Sequence, residues 1–291
     1  MKVTGFSFIK NAILFDFPIK EALLSILPLC DEIVVAVGDC SDATRDLVAN
    51  LHPTKIKIID TVWDATLQTG GMVLADETNK AFKAIASDAD WCFYIQGDEV
   101  LHEKDIETVK QAMLQYKDDN KVDGLLFKYL HFYGSYNYVA ASSKWYRNEI
   151  RVVKNNKAIY SFRDAQGFRK SDNEKLRVKA IDAHIYHYGW VKAPNTMMAK
   201  RKEGVKFWEG HKYTVAYDKT DLGDYNFANI DALIPFNGTH PTVMQQRIQL
   251  VNWQFNYDIN CNKLPIKEKL KNLLKKITGK RPFDYTNYKL I

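Results

Sequence analysis

The chain has 291 residues, 46% of them hydrophobic and 26% charged, with a formal net charge of +6. That length holds one large α/β domain, or one domain with a small appendage, and the composition is that of an ordinary globular protein. No run reaches the roughly 18 apolar residues of a membrane span, and the positive balance favours anionic partners without choosing among nucleotides, acidic glycans and anionic lipid.

In chain order, MKVTGFSFIKNAILFDF opens on a strand, Val3 to Ile9. Lys10, Asn11 and Asp16 interrupt its apolar residues and no small-residue cleavage site follows, so no signal peptide is expected. Asp16 and Pro18 are placed to start a helix whose apolar face is Ala22, Leu23, Ile26 and Leu27. EIVVAV, Glu32 to Val37, is the continuous apolar run of a strand covered on both faces. GDCSDAT follows, with Asp42 positioned to cap a helix running from Ala43 to Leu51. Lys55 to Asp60 is a third strand, a helix runs from near Gly71 to Ala86, and WCFYI is a fourth strand. This alternation predicts a parallel, doubly wound sheet. The cysteines, Cys30, Cys40, Cys92 and Cys261, lack metal or disulfide spacing, which suits a reducing cytosol.

Ligands bind such sheets beyond the carboxyl ends of the strands. Three polar clusters fall there: Asn11, then Gly38-Asp39-Cys40-Ser41-Asp42, then Gln96-Gly97-Asp98-Glu99. They are expected to converge on one crevice. Neighbouring strand residues face opposite ways, so Asp98 and Glu99 make a poor pair for glycoside hydrolysis, which needs two carboxyls facing one substrate. One of them suits Mg2+ or Mn2+ better, as a hard oxygen ligand with substrate phosphates completing the shell. Gln96, on the same face as Asp98, can hydrogen-bond a polyol such as a ribose.

IKNAILFDFPIKEALLSILPLCDEIVVAVGDCSDATRDL resembles the start of family 2 glycosyltransferases of the GT-A fold. Those enzymes have an early strand, an Asn, a helix, a hydrophobic strand and an Asp-rich turn, here ending Ser41-Asp42-Ala43-Thr44. QGDE then stands at the family's Asp-x-Asp metal motif. The resemblance covers roughly residues 3 to 190, and it implies a Rossmann-like, mainly parallel sheet flanked by helices. A catalytic core would then span 1–190, with a nucleotide-sugar half over 1–100 and an acceptor half over 101–190. Residues 191–291 would be a helical C-terminal extension.

The sequence departs from the family in two places. Val37 and Gly38 stand where it has acidic residues for the nucleobase, leaving Asp39, one position on, to hold base or ribose. Gln96 replaces the first Asp of the metal motif, so a metal would lean on Asp98 and the diphosphate. Gly70-Gly71 opens a helix, where free N–H groups favour an anion, although glycines there equally serve packing. Asn79 matches in position a family Asn lying close to the nucleotide.

VDGLLFKYLHFYG and IRVVKN read as strands joined by an aromatic loop, SYNYVAASSKWYR. In it Tyr136, Tyr138, Trp145 and Tyr146 could stack on sugars, with Lys144 and Arg147 meeting anions, or the loop could be a packed interface. An inverting transfer needs a carboxylate to take the acceptor proton. By the family's order Asp164 is the nearest match to that base, as against a turn residue, with Glu149 and Asp182 in reserve. In AIDAHIYHYGW, His184 and His187 face opposite sides of a strand. The family's late metal-binding His points to His187, with His240 as the other possibility. The segment 264–281 is an amphipathic helix with Ile266, Leu270, Leu273, Leu274 and Ile277 on one face among lysines. It either packs on the domain with its lysines solvated or lies on an anionic inner-membrane surface; packing is the expectation.

The resulting expectation is a cytoplasmic, hexosyltransferase-like enzyme, with the inner membrane face as a second location. It would move sugar from a nucleoside-diphosphate sugar to a glycan or glycolipid acceptor, as in polysaccharide biosynthesis. Asn11, Asp39, Gly71, Asn79, Gln96 and Asp98 would bind the donor, Asp98 and His187 the Mn2+ or Mg2+, and Asp164 would be the base. Two rivals are a sugar nucleotidyltransferase, which would ordinarily show a Gly-rich basic loop after the first strand, and a non-catalytic nucleotide- or glycan-binding module. Nucleic acid is not expected, because the basic residues are dispersed.

Overall fold

The computed structural model describes residues 1–208, 223–278 and 286–291. Its first part alternates as predicted: β1 (Val3–Ile9), α1 (Ile19–Ile26), β2 (Glu32–Val37), α2 (Thr44–Ala49), β3 (Ile56–Asp60), α3 (Met72–Lys83) and β4 (Trp91–Tyr94). β3, β2, β1 and β4 pair in that order, all parallel. Every residue of β2 and β4 is buried, because helices cover both faces. Alternation along the strands splits the core accordingly: Ile33, Val35, Trp91 and Phe93 join α1, while Phe6, Val34, Cys92 and Tyr94 join Ala81 and Phe82 of α3.

The second part adds β5 (Glu99–Leu101), α4 (Ile106–Gln115), β6 (Gly124–Tyr133), β7 (Ser135–Ala140), β8 (Asn148–Lys154), β9 (Tyr160–Phe162), β10 (Gly167–Lys170), β11 (Glu174–Lys175) and β12 (Arg177–Trp190). β8 runs antiparallel between β4 and β6, and the long β12 lies parallel to β6. The structure is therefore mixed α/β, with a parallel sheet at its centre flanked by helices. The segment expected as an aromatic loop holds β7, a strand paired antiparallel with β6. Beyond 190 come α5 (Pro194–Trp208), β13 (Leu233–Pro235), α6 (Gln245–Gln249), α7 (Ile266–Thr278) and β14 (Lys289–Leu290). β13 extends the sheet at β7 and β14 pairs with β12.

Three local expectations need correction. Asp16 does not cap α1; its backbone is left-handed and its carboxylate pairs with Arg247. Asp42 does not sit at the cap position of α2, but accepts the N–H of Thr44 at 3.0 Å and that of Leu14 at 2.8 Å, tying two loops together. The tail helix, expected over 264–281, is α7 within the described residues; 279–281 lie outside them. It packs, but through the face opposite to the expected one. Glu268 and Lys271 are buried, whereas Ile266, Leu270, Leu273 and Ile277 are exposed. The inward contact is Glu268, which accepts the backbone and hydroxyl groups of Ser143 at 3.1 and 2.5 Å.

The end of β4 answers to one buried interaction. The strand stops at Tyr94, and Gln96-Gly97-Asp98 turn so that Glu99 N–H reaches Gln96 O at 3.0 Å. Glu99 then points into the core, where Arg151 meets it with two hydrogen bonds of 2.6 and 2.8 Å and neither side chain is exposed. Tyr129 OH donates to the same carboxylate at 2.9 Å, and the guanidinium lies over the Tyr94 and Tyr129 rings. Removing one partner of such a pair strands a buried charge. Arg151→Met is therefore expected to lower the unfolding free energy by about 3–5 kcal/mol in a urea titration, and adding Glu99→Leu to recover most of that loss.

Candidate functional site

The ends of β1, β4 and β12 open on a crevice of about 590 Å³, whose lining includes Asn11, Gln96, Asp98, Asp164 and His187. α5 closes its mouth with Lys200, Arg201, Phe207 and Trp208. The Gln96–Asp98 turn aims Asp98 into this space because Glu99 is held the other way. Burial alone would raise the Asp98 carboxyl, but the Lys200 ammonium, 3.3 Å away, outweighs it with help from neighbouring basic groups and holds it at about 2.

His187 lies 3.7 Å from Asp98 through Nε2. Its tautomer follows from its neighbours. His131 Nε2 is 2.7 Å from the carbonyl of Tyr146, which can only accept, so that nitrogen carries a proton. Burial pushes both imidazoles toward the neutral form, leaving His131 Nδ1 bare. His187 Nδ1, 3.1 Å from it, must then be the donor. In the neutral form of both rings, His187 Nε2 then turns a lone pair toward the Asp98 carboxylate. Gly189 leaves the space between them open: a Cβ there would stand 2.5 Å from Asp98 Oδ2 and 2.7 Å from His187 Nε2.

Asp164 sits at the tip of the β9–β10 hairpin, between Arg163 and Ala165, both at positive φ. The tip is pinned from below. Gln96 Nε2 donates to Ala165 O at 3.1 Å and to Tyr94 OH at 3.2 Å, and Arg151 donates to Gln166 O at 2.9 Å. Burial raises the Asp164 carboxyl above the usual carboxylate range. The Asp164 backbone also lies so close to Gly71 that a Cβ there would come within 3.2 Å of its Cα.

The remaining predicted residues fall on either side of the crevice wall. Asn11 lines it at φ 52°, its Oδ1 accepting the N–H of Ser41 at 2.7 Å. Asp39 pairs with Lys10, itself a lining residue, at 2.8 Å. The N–H of Gly71 is taken by Phe207 O at 2.9 Å, and that of Gly70 by Trp208 O at 3.2 Å, so α5 rather than an anion occupies the start of α3. Asn79 spends both ends of its amide on the backbone of Ser161, clamping α3 to β9 outside the lining. His240 bonds Tyr188 OH and Tyr136 O within an aromatic cluster away from the crevice. Of the aromatic segment, Lys144, Trp145 and Tyr146 line the crevice, while Tyr136 and Tyr138 pack elsewhere. Asp182 is an exposed partner of Lys128.

Sequence reasoning did not find Lys200, His131, Gly189 or Trp63. Trp63 lines the crevice after β3, beside Lys10 and Phe207. His131 had one available signal, its place in an expected strand, VDGLLFKYLHFYG.

No protein-family model and no curated protein matches the chain. Among solved structures it is similar to S. aureus TarS at 16% identity and a TM-score of 0.38, over 75% of this chain and 42% of TarS. A 4-diphosphocytidyl-2C-methyl-D-erythritol synthase from Anaerococcus prevotii is similar at 12% identity and a TM-score of 0.38, over 66% of this chain and 91% of its own. Glucosyl-3-phosphoglycerate synthase from Mycobacterium tuberculosis, solved with Mn2+, UDP and phosphoglyceric acid, is similar at 14% identity and a TM-score of 0.30, over 45% and 43%. The chain thus spans under half the length of TarS.

Glu149, the other reserve base, lies behind the crevice and not in its lining. Desolvation pushes its carboxyl up to about 8, against the pull of Arg151, and Gln166 donates to it at 2.8 Å. Folding therefore raises this pKa from 4.5, so the native state holds a proton that the unfolded chain has lost between those values. The stability it contributes is full below pH 4.5 and is lost as pH rises through 8. Paired urea titrations at pH 6 and pH 8 are expected to show the wild type losing about 2 kcal/mol that Glu149→Gln retains.

Proposed function

We propose that the protein is a metal-assisted glycosyltransferase that moves a sugar from a nucleoside-diphosphate donor to a glycan or lipid-linked glycan acceptor. One observation carries this reading: His187 Nε2 and the Asp98 carboxylate lie 3.7 Å apart, in a space kept open by Gly189. Two such donors repel unless a cation lies between them. The carboxylate oxygen suits Mn2+ or Mg2+, the imidazole nitrogen favours Mn2+ of the two, and two protein ligands leave room for phosphate oxygens and water. Bound there, the cation would neutralise the charge developing on a departing diphosphate.

The chain's own groups divide the remaining work. Lys200 and Lys10 bring positive charge to the same crevice, favouring a diphosphate. Asn11 and Trp63 line the same crevice, with Asp39 behind them on Lys10, and the nucleoside would lie against them, so that residues 1–100 supply that half. Asp164, a lining residue, would take the acceptor hydroxyl proton as that oxygen bonds the anomeric carbon and the bond to the diphosphate breaks. Its raised pKa suits a base, and inversion would follow from attack opposite the leaving group. Gln96 positions the Asp164 loop. Four free cysteines fit a cytoplasmic setting.

The Lys200–Asp98 contact favours one second reading, in which the ammonium replaces the metal. Melting temperatures with UDP, GDP, CDP and dTDP, each with Mn2+ and with EDTA, separate the two. A ligand at about 100 times its Kd adds about 2.7 kcal/mol, a rise of several degrees. One diphosphate is expected to raise the melt only with Mn2+, and Asp98→Ala or Gly189→Ala to abolish the rise. A rise that persists in EDTA and vanishes in Lys200→Met selects the metal-free reading. No rise with any nucleotide sinks the donor site.

A further inference from the structure

We infer that α7 is a docking helix that lies flat on an anionic lipid bilayer. Ile266, Leu270, Leu273 and Ile277 follow one another at helical spacing on its outer face and are 85%, 55%, 52% and 72% exposed. A row of four large aliphatic side chains facing water marks an interaction surface. It is not the packing face of the helix turned outward by chance. The inner face is already engaged through Glu268, which holds the backbone and hydroxyl of Ser143.

Charge selects the occupant. The helix carries five lysines against one glutamate; that single acid, Glu268, is withdrawn from solvent together with Lys271, while Lys269 is exposed. Lys280 and Arg281 follow in the sequence. A second copy of the chain would bring an equally cationic helix against this one, whereas anionic headgroups complement the lysines while the aliphatic row enters the interface. No helix among the described residues is long and apolar enough to cross a membrane, so α7 lies on the surface and does not span it. The helix also sits beside the crevice: Ser143 precedes Lys144 and Trp145, both lining residues. Docking would bring that rim to the bilayer; resting on the glycosyl-transfer reading, it points to a lipid-borne acceptor.

The test is co-sedimentation of the full chain with vesicles, independent of any nucleotide or activity. Phosphatidylcholine vesicles containing phosphatidylglycerol are expected to bind the wild type, and phosphatidylcholine alone to bind it at least about tenfold more weakly. The double variant Leu270→Glu, Leu273→Glu changes exposed positions only, so its melting temperature is expected to be unchanged while vesicle binding falls about tenfold or more. Binding is also expected to fade near 1 M salt, where screening is complete within about 3 Å. Equal binding to both vesicle types, no binding to either, or full binding by the double variant overturns the proposal. So does a wild-type dimer that becomes monomeric in the double variant without any vesicle binding, which would assign the face to a second copy.

Discussion

The Glu99–Arg151 pair lies fully buried between β5 and β8, and each of the two turns that carry a crevice carboxylate is tied to it. Glu99 accepts the N–H of Gln96 at 3.1 Å, which closes the turn presenting Asp98. Arg151 donates to the carbonyls of Ile150 and Gln166, which fixes the strand and hairpin presenting Asp164. Taking two charges out of water is costly, and a well-packed apolar pair of similar size is often no less stable. What an apolar pair would lack is direction: a carboxylate and a guanidinium have hydrogen-bonding sites enough to hold three backbone groups at once, besides each other and Tyr129 OH.

This explains why two adjacent carboxylates end β4. They have opposite fates because the turn rotates them apart, Glu99 into a fully compensated interior and Asp98 toward cations at the crevice floor. The Lys200 ammonium on α5 reaches over the mouth to Asp98 and to Gly189 O at 2.9 Å. At its far end, α5 meets the first turn of α3 through the carbonyls of Phe207 and Trp208. The helix is therefore fastened at both ends of the opening, and its interior positions form the roof.

Much of this architecture was legible because one signal sufficed. EIVVAV is buried at every position, which is what an apolar run without alternation means, and β1 and β2 begin and end where their hydrophobic runs do. The polar clusters at strand ends likewise placed Asn11, Gln96 and Asp98 around one space, whereas Gly38 to Asp42, expected there too, lie outside its lining. Features that depend on pairing were not legible. His131 meets His187 because β6 and β12 bring those two residues into register, and register is a property of two strands together. Asn79 has the position of a ligand-binding residue but finds Ser161 first. α7 gives the sharpest case: amphipathicity says which residues share a face, not which face is turned inward, and a single hydrogen-bonded glutamate reversed the expected orientation. β7 stayed hidden because its Tyr, Asn and Val pattern reads equally as a strand or a sugar-binding loop.

The imidazole pair has a polarity. Each ring hands its proton away from Asp98, and the chain of donors terminates on the main-chain oxygen of Tyr146. A side-chain terminus could be lost by a single replacement, letting both rings flip and turning an electron-pair donor into an N–H at the crevice floor. A peptide oxygen cannot be lost that way, whatever residue occupies position 146. The orientation of the imidazole pair is thus anchored to the backbone itself, through the loop after β7.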